Sequence, residues 1–281
     1  MVVEDLHWAD PSTLEFIRVW MEEAADSPSF MLLTSRPDFS PPWPSQNNFI
    51  SLDIDRLPDA QSMELVRLAA GDANLSESML RQLMKKSDNV PLYLEVLTKQ
   101  IVIIKQESAS KGLPADQLEL LDREIPESLQ DALMARLDHM NDTKSVAQVA
   151  AILGRDFDSK MLEAVWAGTR EALHYGLEQL CKADLLQVRG DAAKGLYQFK
   201  HALIRDAAYN SMLKRNCETL HRQVAEVMER VFPDFAARQP DVLAHHYTAG
   251  KEVNQAVRYW LAAGQLALTR FATQESVAHL N

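Results

Sequence analysis

The chain has 281 residues, 47% of them hydrophobic and 25% charged, enough for two or three soluble domains with sizeable cores. A formal net charge of -11 weighs against a large nucleic-acid surface, which needs clustered Lys and Arg. Cys181 and Cys217 fit no metal spacing and suit reduced thiols, while an acidic start and short apolar runs give neither signal peptide nor membrane span, so a cytoplasmic protein is expected.

At the N-terminus, Val2-Val3 runs into Glu4-Asp5, then Leu6-His7-Trp8, then Asp10-Pro11. Apolar residues leading into paired acids are expected where a nucleotide-site strand places a carboxylate beside Mg²⁺. The glycine-rich loop G-x-x-x-x-G-K-[ST] that should precede such a strand occurs nowhere in the chain, so the sequence is expected to open inside a nucleotide-binding domain. Asp10 is a good N-cap and Pro11 suits the first helical position. Leu14, Ile17, Met21 and Ala24 then give a helical stripe. Phe30 to Thr34 reads as a strand buried on both faces, Pro41 to Pro44 as an extended loop, and Phe49 to Ile54 as a third strand. Strands alternating with a helix imply a parallel sheet across residues 1–56.

From Leu57 the pattern turns helical. Asp59 is expected to cap a helix with Met63, Val66 and Ala69 inward, ending at Gly71. Ser76 caps a second with Leu80, Leu83 and Met84; Pro91 starts a third through Leu94, Leu97 and Ile101. These form a compact helical subdomain over 57–106, and polar residues 107–124 read as a linker. In 125–212, Pro126, Asp142 and Thr169 are expected to open three helices. Leu185 to Val188 and Leu196 to Phe199 flank a turn at Arg189 to Gly195, a hairpin. Three helices and a hairpin describe a winged helix. Residues 213–281 are helical, with small Ala262, Ala263, Gly264 and Ala267 permitting close approach in a repeat array. The fold class is therefore mainly α with an α/β remnant.

Five residues are candidates for chemistry. Glu4 can hold Mg²⁺ through water, and Asp5 can orient or deprotonate an attacking water; both could equally be solvent-facing acids of a strand end. Arg36 follows a strand at the ligand-binding edge of an α/β sheet, where its planar fork could reach a γ-phosphate or simply face solvent. Pro91 could line an adenine pocket or only initiate a helix. His201, directly after the second hairpin strand, is a phosphate contact or a structural histidine that Arg205 or Asp206 could pair with. His245-His246 points to two faces of one helix, so a shared metal is not expected.

The string Val3 to Ser12 resembles the second nucleotide-binding motif of STAND-type P-loop ATPases, AAA-like modules of bacterial signalling proteins. These often stand behind a class III adenylate or guanylate cyclase or a protein kinase, or ahead of a LuxR-type DNA-binding domain. Leu32 to Pro37 is similar to that family's sensor strand, Asn89 to Glu95 to a segment of its helical lid, and Phe199 to Tyr209 to the end of its winged helix. Leu243 to Tyr247 and Tyr259 to Gly264 resemble the start of its tetratricopeptide-like region. The resemblance spans essentially the whole chain, in the family's order. It implies the C-terminal part of a P-loop NTPase core over 1–56, a lid over 57–106, a winged helix over 125–212 and a repeat start over 213–281. It also implies ATP or ADP with Mg²⁺ as cofactors: Glu4 would help hold the metal and Asp5 polarise water. Arg36 would sense the γ-phosphate, Pro91 touch adenine and His201 approach the β-phosphate.

Nucleotide state would then switch packing, with protein partners on the helical C-terminal region and a nucleotide-dependent oligomer in the parent. The alternatives are a non-catalytic scaffold of winged helix plus helical repeats, and a DNA-binding LuxR-type segment, whose helix Thr169 to Lys182 carries Glu171 and Glu178 beside Arg170 and Lys182. Glu4 stands where Asp is commoner in P-loop proteins. With the loop's N–H groups and lysine missing, most phosphate binding energy is absent. The 281-residue chain is thus expected to bind Mg-ATP weakly or not at all; micromolar affinity in isothermal titration would contradict this.

Overall fold

The computed structural model describes residues 1–24, 27–43, 49–73, 75–110, 128–189, 195–269 and 273–280. It is mainly helical, with fourteen α-helices and two small sheets among the described residues. The chain divides into two compact units: Met1–Ile54 with Phe232–Asn281, and Asp55–Val231. No helix among the described residues is long and apolar enough to cross a membrane.

In the first unit, strand β1 (Val2–Val3) pairs in parallel with β2 (Leu32–Leu33), Val2 opposite Leu32 and Val3 opposite Leu33. Between them a 3₁₀ turn (Leu6–Trp8) leads into α1 (Pro11–Glu23). Asp10 caps α1: its carboxylate accepts from the Thr13 N–H at 2.7 Å and from the Thr13 hydroxyl at 2.6 Å, and Pro11 takes the first helical position. The expected stripe holds. Ile17 is fully buried against Leu6 and Trp43, with Leu14 and Met21 packed around them.

The two other strand expectations for this region need correction. Phe30 to Thr34 is not buried on both faces: only Leu32–Leu33 pairs, and Phe30 and Leu32 are exposed. Phe49 to Ile54 forms no strand; Ile50, Leu52 and Ile54 are 82%, 81% and 96% exposed. An apolar run becomes a strand only where a neighbour takes up its N–H and C=O groups. The Pro44 end of the expected extended loop lies outside the described residues.

The same unit holds α11 (Pro233–Arg238), α12 (Pro240–Ala249), α13 (Val253–Thr269) and α14 (Thr273–Leu280). Tyr247 and Tyr259 stack at 5.5 Å between α12 and α13, and the Trp260 indole donates to the Thr248 hydroxyl at 3.0 Å. Ala263, Gly264 and Ala267 of α13 are buried, and a Cβ on Gly264 would stand 2.7 Å from Leu280 Cγ of α14, so the Leu280 side chain would have to shift. His246 is buried and His245 exposed, as a helical doublet requires.

In the second unit, α2 (Asp59–Ala70), α3 (Glu77–Ser87) and α4 (Pro91–Ser110) bury Val66, Leu80, Leu83, Leu94, Leu97 and Ile101. Asp59 does not cap α2. It is the first helical residue, and its carboxylate instead accepts from the Asn89 side chain at 2.7 Å, tying the start of α2 to the α3–α4 turn. The buried face of α2 is Ser62, Val66 and Ala70, one step round from the expected Met63 and Ala69.

Next come α5 (Leu129–Asp138), α6 (Asn141–Leu153), α7 (Ser159–Val165) and α8 (Arg170–Lys182). The expected opening at Pro126, the linker residues 111–124 and turn residues 190–194 lie outside the described residues. The Ser128 hydroxyl caps α5, and α6 already starts at Asn141, not after an Asp142 cap. The hairpin of β4 (Leu186–Val188) and β5 (Leu196–Phe199) gains a strand the pattern did not show: β3 (Asp156–Asp158) pairs antiparallel with β5, giving the order β3-β5-β4. Phe199 is fully buried and tilts against Phe157 at 5.9 Å. Helices α9 (Ala202–Asn210) and α10 (Lys214–Val231) complete the unit, α9 burying Ile204, Ala207 and Ala208.

Gly176 sets the approach of α8 to α6, because a Cβ there would lie 2.6 Å from Cγ2 of buried Val146. Helix propensity alone makes Gly→Ala stabilising by about 1 kcal/mol. Here overpacking, worth about 1–3 kcal/mol, opposes it. Gly176→Ala should lower the urea midpoint, and adding Val146→Ala should cost less than that change costs alone.

Candidate functional site

The carboxyl ends of β1 and β2 point the same way because the pair is parallel. Glu4 and Asp5 therefore leave β1 at the edge where Thr34, Ser35 and Arg36 leave β2. The ladder continues past the strands: Thr34 N–H donates to Val3 O at 3.0 Å, and Leu6 N–H to Thr34 O at 2.8 Å. The Asp5 N–H donates to the Thr34 hydroxyl at 3.0 Å. Asp5 sits at φ 56° and ψ 47°, a left-handed conformation uncommon outside glycine but tolerated by Asp. That turn sends Leu6 into the core and leaves the Asp5 and Glu4 carboxylates exposed.

Arg36 lies at the same edge, its guanidinium carbon 5.7 Å from the centre of the exposed Trp8 ring, a cation–π distance. Two carboxylates and an arginine thus occupy one sheet edge. Exposed carboxylates suit Mg²⁺, which keeps most of its waters, better than a metal that demands a full protein cage. Among the described residues no group of three or more His, Cys, Asp or Glu could hold a metal directly.

Pro91 and His201 belong to the second unit. Pro91 is exposed at the first position of α4, after Asp88 and Asn89 at φ 51° and 57°. Glu95 and Lys99 follow it at helical spacing and bond each other at 2.6 Å. His201 stands at the N-cap of α9 with no side-chain cap bond, half-buried. Burial pushes its pKa below the usual range. The positive charge of Lys200 adds to that, Glu95 and Asp184 act against it, and Arg155 adds slightly. Sequence reasoning did not single out this surrounding group of Glu95, Lys99, Arg136, Asp184 and Lys200. The Glu95/Lys99 spacing was a usable signal, whereas the approach of Asp184 was not visible in one dimension.

The two cysteines are free, and burial pushes the Cys181 thiol pKa up, away from reactivity.

No family model matches the chain. It is 23% identical over 282 aligned residues to an uncharacterized protein of Rhizobium meliloti (strain 1021). That alignment covers 98% of this chain and 27% of the relative, so the chain spans about a quarter of the length of the curated relative it matches.

A histidine whose pKa is depressed by folding is neutral in the folded state at pH values where the unfolded chain takes up a proton. The contribution of His201 is therefore complete above its ordinary value of about 6.5 and is lost as pH falls through its lower folded value. As pH falls below about 6.5, urea midpoints should drop more steeply in the wild type than in His201→Gln. Equal slopes would contradict this.

Proposed function

We propose that this chain is part of a nucleotide-switched, ATP-binding and ATP-hydrolysing regulator of the STAND type, acting in bacterial signal transduction in the cytoplasm and associated with a cyclase in the whole protein. The observation that carries the proposal is the common carboxyl edge of β1 and β2, where Glu4, Asp5 and Arg36 emerge together. Open parallel sheets bind ligands at that edge. In this reading Asp5 orients and polarises the attacking water, Glu4 holds the water shell of Mg²⁺, and Arg36 senses the γ-phosphate. ATP supplies the phosphoanhydride and Mg²⁺ its counter-charge. The family resemblance assigns adenine to Pro91 and the β-phosphate to His201. Helices α2–α4 form the lid. Helices α5–α9 with the β3-β5-β4 sheet form the winged-helix domain of residues 125–212, and the helices of residues 213–281 begin a tetratricopeptide-like array.

A second reading, a non-catalytic interaction scaffold, is favoured by one feature. Val253, Val257, Leu261 and Leu268 are exposed on α13, spaced so that they share one face of that helix. DNA binding through α8 is disfavoured, because Arg170 pairs with Glu163 at 2.5 Å and Lys182 with Glu178 at 2.6 Å. Each cation faces a carboxylate on the same surface, so that helix presents little net positive charge.

The deciding experiment is ATP turnover by the polypeptide extended upstream in frame to include a G-x-x-x-x-G-K-[ST] segment. Expected are Mg²⁺-dependent hydrolysis and its loss in Asp5→Asn with ATP binding retained; removing a positioned base costs about 10²–10⁴-fold. An extended polypeptide without that segment, or with it but without ATP binding, would overturn the proposal in favour of the scaffold.

A further inference from the structure

Helix α8 closes on a left-handed residue, Asp184, at φ 60°. The Asp184 N–H donates to Cys181 O at 2.9 Å and the Leu185 N–H to Leu180 O at 3.0 Å, which satisfies the last carbonyls of the helix. Three separate elements grip this turn. Lys99 of α4 places Nζ 3.1 Å from Asp184 Oδ2. Lys200, at the end of β5, donates to the same oxygen. Arg136 of α5 donates through Nη2 to Ala183 O.

The two lysines and Asp184 keep 27%, 33% and 42% of their side-chain exposure, so this is a part-buried network rather than a loose surface pair. Burial of Asp184 opposes its charged form, but the bonds from Lys200 and Lys99 prevail and hold its carboxyl below the usual carboxylate range. Burial also pushes the Arg136 guanidinium down, against the opposing charges of Asp184 and Glu95.

The connectivity is specific. Pro91, Glu95 and Lys99 recur every four residues on one face of α4. Lys200 is the residue before His201. A single carboxylate therefore joins the helix that begins at Pro91 to the corner that carries His201. We propose that Asp184 is a positioning residue: its carboxylate bolts α4 to the β5–α9 corner and so fixes His201 relative to the Pro91–Glu95 face. The functional weight of the bolt rests on the nucleotide reading of Pro91 and His201; its existence does not.

The test is amide hydrogen exchange on the 281-residue chain. In Asp184→Asn, amides of residues 94–101 and 183–186 should exchange about threefold to tenfold faster, while α13 in the other unit stays unchanged. Lys99→Met should also speed exchange in α4, and the double variant should exceed the faster single by no more than about twofold, because both cut the Lys99–Asp184 contact. The groups acting on His201 are Lys200, Glu95, Asp184 and Arg155. Its ring titration by NMR should therefore move down in Asp184→Asn and up in Lys200→Met, and stay put in Asp206→Asn, a carboxylate paired with Arg205. Unchanged exchange, additive effects or an unmoved titration would each overturn the proposal.

If Asp184→Asn does not fold, Lys99→Met and Lys200→Met singly, and wild type in about 1 M NaCl, should show the same local opening; protection equal to wild type in all three overturns it. Absence of ATP turnover in the extended polypeptide would remove the nucleotide reading alone and leave the exchange result standing.

Discussion

The short parallel ladder between β1 and β2 is the constraint on which the candidate site depends. Parallel pairing makes two strands end at the same edge, whatever lies between them in sequence. Two backbone bonds past the strands, Thr34 to Val3 and Leu6 to Thr34, extend the register by a residue on each side. The Thr34 hydroxyl then holds the Asp5 amide while Asp5 turns left-handed. An antiparallel pairing of the same residues would send Arg36 to the opposite edge from Glu4 and Asp5. The ladder is short, and what supports it is the small apolar cluster of Leu6, Ile17 and Trp43 beneath it.

The second unit works by a different balance. Its helices bury complete aliphatic side chains: Leu83, Leu94, Leu97, Leu133, Leu162, Leu173 and Leu180 are essentially inaccessible. Each such burial is worth about 1.5–3 kcal/mol relative to exposure. Non-directional burial of this kind fixes that helices pack, and leaves small errors of rotation cheap. Directional contacts settle the remaining detail. Asn89 to Asp59 sets where α2 begins, and Arg136 to Ala183 sets how α8 ends.

Much of the helical portion was legible in the sequence because several helices announce themselves locally, whereas α2 and α6 do not begin at their expected caps and α7 (Ser159–Val165) was not expected. Asp10, Ser76 and Thr169 all cap as their residue type requires, and Gly71 stops a helix at the expected position. The strands were not legible to the same degree. Phe49 to Ile54 has strand composition and forms none, while Asp156–Asp158, with one apolar residue between two acids, does. Strand formation is decided by a partner: β5 is available to Asp156–Asp158, and Phe157 has a buried place to fill beside Phe199. The acidic edge could be found because its residues adjoin in sequence or follow a recognisable strand. The group around Asp184 could not, since Lys99, Arg136, Asp184 and Lys200 come from four elements and meet only through tertiary packing.

The two kinds of contact differ in how they respond to a ligand. Buried leucines cannot be traded for ligand contacts without opening a cavity, which costs about 2–5 kcal/mol per side chain. A part-exposed ionic network is weaker, about 0–1 kcal/mol for each exposed pair, and its members can exchange partners without leaving a void. A ligand shifts a conformational equilibrium only by its differential affinity for the two states. The charged contacts around Asp184 are therefore within reach of a modest differential affinity, whereas the leucine contacts of the same helices are not.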